Sequence, residues 1–213
     1  MPLAVFDVDG TLISGRSTEK RFMTWLFRRG HLGPFQMLSM LWFILRWSPR
    51  FGRHVFKKNK AYLNRLPVSL VTNEAREFVA SMADDLWIRP ALAELQMHKR
   101  RGDAVVLLSG TLQPIVECLS ARFGANGSLG TECVIERGRF TAAPPLRHPF
   151  YDEKADLLTS ICETYRTAAG EVYAYADSGF DIPLLSKVGY PVAVCPDGKL
   201  QAWAASHNHR ALG

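Results

Sequence analysis

The chain has 213 residues, 47% hydrophobic and 22% charged, which fits a globular fold with a sizeable core and excludes a disordered or fibrous chain. Its net charge of +6 is gathered in one block: between Arg16 and Lys60, eleven Lys or Arg accompany a single acidic residue, Glu19, with nine aromatics interleaved. The four cysteines, Cys118, Cys133, Cys162 and Cys195, form no CxxC pair, which argues against a zinc site or disulfide framework and for reduced, cytoplasmic thiols.

Ala4 to Phe6 reads as an apolar strand that runs straight into Asp7-Val8-Asp9-Gly10-Thr11. Positions i and i+2 of a strand face the same side, so Asp7 and Asp9 are expected to share a face. Two like charges that close are costly unless a cation or a shared proton compensates them. Acidic residues this early are not those of a secretory leader.

Consecutive helices follow. Ser17 is placed to cap the first, in which Phe22, Trp25, Leu26 and Arg29 keep helical spacing up to Gly30. Pro34 opens a second, to about Trp47, which Ser48-Pro49 should stop. A basic helix is expected from about Arg53 to Arg65, halted by Pro67, and a fourth from Asn73 to Ala83. Such a run suggests a small helical bundle. Its apolar stretch Leu32 to Trp47 contains Gln36, Ser39 and Arg46 and is shorter than the roughly twenty apolar residues that cross a bilayer. It reads first as bundle core. The competing reading is an interfacial element whose Trp42, Phe43 and Trp47 enter the headgroups of an anionic membrane.

From Arg89 onward helices and strands alternate: helix Pro90–Arg101 closed by Gly102, strand Ala104–Leu108, helix Gln113–Phe123 ended by Gly124, then a hairpin over Cys133–Thr141 turning at Arg137-Gly138. Helix Asp152–Tyr165, strand Val172–Ala176, helix Asp181–Lys187 and strand Val192–Val194 complete the order, with His207 and His209 in a tail. The pattern is that of an α/β fold, a Rossmann-like core with a mainly parallel sheet, plus an inserted all-helical cap. Ligands in such cores lie beyond the carboxyl ends of the strands.

Four polar clusters fall at those ends: Asp7/Asp9, Ser109-Gly110-Thr111, Lys154, and Asp177 to Asp181. Converging carboxylates form a hard oxygen site suited to Mg²⁺. Ser109 and Gly110, at a strand-to-helix junction, and the point charge of Lys154 suit a phosphate. Together they form a phosphoryl-transfer set: Asp7 as nucleophile, Asp9 as acid and base, Asp177 as metal ligand, and Asp181 orienting Asp177 or a metal-bound water.

On these residues the chain resembles the haloacid dehalogenase superfamily, specifically the phosphatases of its subfamily IB, which include phosphoserine phosphatase. The first motif, DxDGT, matches Asp7 to Thr11; the second matches Ser109, the third Lys154, and the fourth, usually GDSxxD, matches Asp177 to Asp181 with Ala176 in place of the common Gly. The segment Val188 to Asp197 also looks like the family's stretch after motif four. The resemblance implies an aspartyl-phosphate on Asp7, a Mg²⁺ ion held by Asp7, Asp177 and the backbone carbonyl of Asp9, and a core of residues 1–15 and 86–213 with a cap at 16–85. The carboxylate at position 9 separates phosphatases and mutases from dehalogenases; hydrolysis is favoured over mutase chemistry.

Phosphoserine phosphatases place a Glu nine positions after the nucleophile, and here that position is Arg16. A cation there would repel an amine, so phosphoserine is expected to be a poor substrate and Arg16 to contact substrate. The expected partner is a small-molecule or lipid phosphate ester, with peripheral anionic-membrane contact through the cap as an alternative. No nucleic-acid recognition motif accompanies the basic block. A non-catalytic phosphate-binding module stays open as a different class, and the sequence does not give an oligomeric state.

Overall fold

In the computed structural model, residues 2–15 and 17–213 are described; Arg16 lies outside them. Strand β1 (Leu3–Phe6) is buried at every position. It lies at the middle of a six-stranded sheet with β2 (Ala104–Leu112), β3 (Gly127–Thr131), β6 (Val172–Ala176), β7 (Tyr190–Val194) and β8 (Arg210–Leu212); β4 (Ile135–Glu136) and β5 (Arg139–Phe140) form a separate hairpin. The order is β3-β2-β1-β6-β7-β8, with every neighbouring pair parallel. Because the chain builds outward from β1 in both directions, β1 is where the winding reverses. The crevice of such a sheet opens beyond its carboxyl end.

The helices are α1 (Thr18–Arg28), α2 (Pro34–Phe51), α3 (Val55–Lys58), α4 (Val68–Ala80), α5 (Arg89–Arg101), α6 (Gln113–Phe123), α7 (Asp152–Tyr165), α8 (Ile182–Leu185) and α9 (Gly198–Ser206). Alternate residues of β1 serve opposite layers, as the two-residue period of a strand requires. Ala4 and Phe6 pack with Leu95 of α5 and Ile115 of α6, while Leu3 and Val5 pack with Leu158 of α7 and Leu200 of α9. Both faces are therefore covered, which is why the central strands are apolar throughout.

Between β1 and α5 the chain makes a long excursion through α1 to α4. Its two ends are tied together: Ser14 N donates to Leu86 O at 2.8 Å and Ile88 N to Leu12 O at 3.0 Å. Phe22 and Leu26 of α1 and Val71, Ala75 and Phe78 of α4 share the apolar cluster of α5 and α6. By contrast α2 lies further out, over a small cluster of Phe43, Val55 and Ala61.

Several expected elements differ. Helix α2 continues through Pro49 to Phe51 rather than stopping at Ser48-Pro49, and ends at Gly52, whose φ of 51° closes it. The long basic helix over 53–65 is instead broken into short turns around α3. Asn59 is the cause: its side chain donates to Met40 O at 3.0 Å and accepts from Ala61 N at 3.1 Å, displacing the helical pattern. Helix α4 starts at Val68, directly after Pro67, not at Asn73. Strand β2 runs on through Ser109-Gly110-Thr111 to Leu112, with its register against β3 shifting between Leu108 and Leu112. The 181–187 helix is the shorter α8, entered through a tight turn at Gly179–Asp181. Beyond β7 the chain forms α9 and the edge strand β8 where a tail was expected.

The apolar stretch of α2 is not bundle core. Leu38, Leu41, Trp42 and Leu45 are each more than half exposed, and the buried residues of the helix are Ser39 and Phe43. Of the three aromatics expected at a membrane surface, Trp42 faces outward, whereas Phe43 is buried and Trp47 packs against that small cluster.

Candidate active site

Asp7 follows β1 directly, its N–H extending the ladder to Tyr175 O at 2.9 Å. The chain then folds back on itself, with Leu12 N and Ile13 N donating to Val8 O at 2.9 and 3.0 Å. Gly10 is required here twice over. Its φ is +84°, and a Cβ would lie 2.0 Å from Asp177 Oδ2. Motif one and motif four therefore touch through the missing side chain of Gly10.

Asp7, Asp177 and Asp181 each bring a carboxylate oxygen within 4.8 Å of the others. Lys154, near the start of α7 and itself buried, places Nζ 2.9 Å from Asp7 Oδ1 and 2.7 Å from Asp181 Oδ1. Asp181 makes no helix-capping bond, so it serves the lysine rather than α8. Among the described residues, three carboxylates face one ammonium, which leaves the cluster short of positive charge. Burial first, and then the neighbouring Asp181 and Asp177, push the Asp7 carboxyl up to about 8 despite Lys154. Burial and Asp181 push Asp177 up to about 6. A close, oxygen-only donor set with raised carboxyl pKa values fits a hard divalent cation, whose charge would restore the ionised forms.

Asp9 does not join this cluster. Its Oδ1 accepts from Thr18 N at 2.7 Å, and its Oδ2 accepts from Thr111 Oγ1 at 2.9 Å and Ser17 Oγ at 3.5 Å. Ser17 thus makes no cap of its own on α1; the carboxylate of Asp9 takes that place. Ser109 is buried, and its Oγ accepts from Thr111 N at 3.2 Å. Ser109 and Gly110 lie on an extended strand rather than at the first turn of a helix, so backbone amides of a helix start are not what they present. Ala176 lies within β6 with no positive φ, so the missing glycine of motif four is no obstacle. The proposed substrate contact Arg16 lies outside the described residues.

Sequence reasoning missed three supports. Asp197 accepts from Ser178 Oγ and Gly179 N, each at 2.9 Å, and its N–H reaches Asp177 O at 2.8 Å, which fixes the loop carrying Asp177. Lys60 is buried and paired with Glu19, which also receives Tyr62 O–H at 2.9 Å. His148 is buried beside Gly110. Asp197 alone was legible as an N-cap, since it opens α9 by accepting Leu200 N at 2.8 Å.

The sequence profile of the haloacid dehalogenase-like hydrolases matches residues 4–186. A phosphoserine phosphatase of Mycobacterium tuberculosis is 29% identical over 209 residues, covering 94% of this chain and 67% of its own. A histidinol-phosphatase of Neisseria meningitidis is 27% identical over 219 residues, covering 93% of this chain and 92% of its own. Among solved structures, a protein of unknown function from Bordetella pertussis superposes with a TM-score of 0.82 at 21% identity, covering 99% of this chain and 97% of its own.

Proposed function

The chain belongs to the haloacid dehalogenase-like hydrolases, and on that premise we propose that it is a Mg²⁺-dependent phosphomonoesterase working through an aspartyl-phosphate on Asp7. The observation that carries this reading is Lys154, whose one ammonium bridges Asp7 and Asp181 beside Asp177. That arrangement holds the nucleophile in place and offers a positive charge to the incoming phosphoryl oxygens.

In this reading Asp7 attacks phosphorus while Asp9, held by Thr111 and Thr18, gives a proton to the leaving alcohol. Asp9 then takes a proton from the water that cleaves the acyl phosphate. Ser109 and Gly110, with Lys154, bind the phosphoryl oxygens. Asp7, Asp177 and the Asp9 carbonyl would hold Mg²⁺, with Asp181 supporting from behind. When bound, the ion supplies charge that ionises Asp7 and neutralises the transferring group. We read residues 16–85 as a cap on a core of 1–15 and 86–213, a division supported by the pairing of Leu12 and Ser14 with Leu86 and Ile88. Asp7, Lys154 and Asp181 are nearly closed to solvent, so substrate entry requires the cap to part from the core.

The test is a panel of phosphate esters, bearing amine, sugar, nucleotide or lysolipid groups, assayed with and without EDTA. Metal-dependent release of phosphate by the wild type and none by Asp7→Asn supports the reading; metal-independent release, or activity in Asp7→Asn, refutes it.

One observation favours a membrane-surface substrate. The exposed stripe of Leu38, Leu41, Trp42 and Leu45 lies on a helix without acidic residues, flanked by Arg46 and Arg50. No described helix is long and apolar enough to cross a membrane, so contact would be by lying on an anionic surface. Co-sedimentation with anionic vesicles, lost in a Leu38→Ser, Trp42→Ser, Leu45→Ser variant, supports this; no binding at low salt ends it.

A further inference from the structure

His148 lies in the turn before α7, 3% exposed, with Nδ1 2.7 Å from Thr131 Oγ1. The Thr131 hydroxyl has a single proton, and it lies 2.6 Å from Gly110 O, a carbonyl that can only accept. The proton is therefore given to Gly110, and the same hydroxyl must accept Nδ1–H from the imidazole. This fixes the tautomer and leaves a lone pair on Nε2. That nitrogen is buried with no hydrogen-bond partner among the described residues. Buried polar atoms in folded proteins are almost always answered, so an orphaned acceptor marks a place where something else binds.

The surroundings say what kind of donor it awaits. A Cβ on Gly110 would lie 3.5 Å from His148 Cε1, the carbon between the two ring nitrogens, so the imidazole lies against the phosphate-binding segment. The His148 N–H is anchored on Glu153 Oε1 at 2.6 Å, one residue before Lys154. Phe150 packs against the imidazole at 5.9 Å and against Phe180 at 5.1 Å, linking the turn to the loop of Asp177 and Asp181. From the cap, His54 and Lys57 lie over Phe150, and Lys58 reaches Glu153 at 3.8 Å. Burial, and then Lys60, Lys58, Lys57 and Lys154, hold the imidazole pKa down to about 2, so the ring stays neutral. The segment facing this turn carries eleven Lys or Arg against one acidic residue between Arg16 and Lys60, and its net field disfavours an ammonium.

We propose that His148 Nε2 accepts a hydrogen bond from a neutral hydroxyl on the alcohol part of the ester, which makes the substrate class polyol phosphates rather than amino-alcohol phosphates. The inference rests on the phosphatase reading above and adds the group that the leaving alcohol carries. The hydroxyl meets a preset acceptor when it enters, whereas an ester lacking it leaves Nε2 unanswered.

The test compares glycerol 3-phosphate, propyl phosphate and phosphoethanolamine with the wild type, His148→Leu and His148→Asn. In the wild type, kcat/KM for glycerol 3-phosphate is expected to exceed that for propyl phosphate by on the order of 10²-fold, with phosphoethanolamine below both. In His148→Leu the ratio of the first two falls towards unity, and His148→Asn provides the same comparison should the leucine variant not fold. Independently of turnover, a ¹⁵N spectrum of histidine-labelled protein is expected to show His148 with Nδ1 protonated and Nε2 bare. If propyl phosphate is cleaved as well as glycerol 3-phosphate, if the preference survives in both variants, or if Nε2 carries the proton, the proposal is wrong while the phosphatase stands. If none of the esters is cleaved, the phosphatase reading falls and takes the proposal with it.

Discussion

The carboxylate of Asp9 receives the backbone N–H of Thr18 at 2.7 Å, so the residue assigned to proton transfer also anchors the first turn of α1. The loop after β1 and the start of α1 are thus joined at the carboxylate proposed to move the proton. Its other oxygen is fixed by Thr111 at 2.9 Å. Asp9→Asn is therefore expected to keep the α1 anchor but lower kcat by about 10²- to 10⁴-fold, the usual contribution of a positioned acid or base. Thr111→Val leaves that oxygen only the long 3.5 Å contact from Ser17 Oγ, and kcat is expected to fall by about 10²-fold with KM little changed, because a displaced catalytic group loses rate before binding. Steady-state kinetics on any cleaved ester measure both.

Lys154 bridges two buried carboxylates, at 2.9 Å from Asp7 and 2.7 Å from Asp181. Removing one member of a buried, hydrogen-bonded set strands the others. Lys154→Met is expected to lose about 3–5 kcal/mol of stability as well as activity. Asp7→Asn should behave oppositely: it relieves repulsion in a cluster already short of positive charge, so activity vanishes while the melting temperature without divalent cation is unchanged or higher. Paired thermal melts in EDTA separate the two outcomes.

Asp7 and Asp177 are pushed up to about 8 and about 6, by burial first and then by neighbouring carboxylates. A carboxyl with a raised folded-state pKa binds its proton more tightly in the native state than in the unfolded one. Its stabilising contribution is complete below the unfolded value near pH 4 and is lost as pH rises through the folded value. In EDTA, the melting temperature is thus expected to decline between about pH 4 and pH 8. A Mg²⁺ ion bound at the proposed site would compete with those protons, so its stabilising effect should grow over the same window. A melting temperature that rises with pH in EDTA would contradict this.

The core was readable where local signals agree with tertiary burial. Helices α6 and α7 and strand β6 lie where apolar periodicity and glycine or acidic end signals placed them. Sequence failed where a side chain competes with the backbone, as at Asn59, which interrupts a basic helix, and where a strand carries two glycines and few β-forming residues, as in Gly127–Thr131. Within the site, Asp7 and Asp177 were legible because each follows an apolar strand, and Lys154 and Asp181, on a helix and a turn, through the order of the motifs. His148 was not, because its meaning comes from Thr131 and Gly110, both distant in sequence, and no local pattern records that a lone pair is left unanswered.

On the face of the sheet covered by α5, Tyr175 is stacked on Phe6 at 4.1 Å and fully buried. Its hydroxyl donates to Glu94 Oε2 at 2.9 Å and lies 2.8 Å from His98 Nε2, while His98 Nδ1 lies 2.7 Å from Asp103. Glu94 is held in turn by Arg210 of β8 at 2.6 Å, so the network ties α5 to the edge strand. Tyr175→Phe keeps the stacked ring but removes the oxygen that His98 meets in a site closed to water. The expected cost is about 1–3 kcal/mol, the penalty for a buried polar group left unpaired. The substitution leaves in place the backbone carbonyl that receives Asp7 N–H, so kcat and its response to EDTA should change little. Denaturant melts with parallel kinetics check both halves, and a variant as stable as wild type would show that the Tyr175 hydroxyl contributes nothing to holding the sheet.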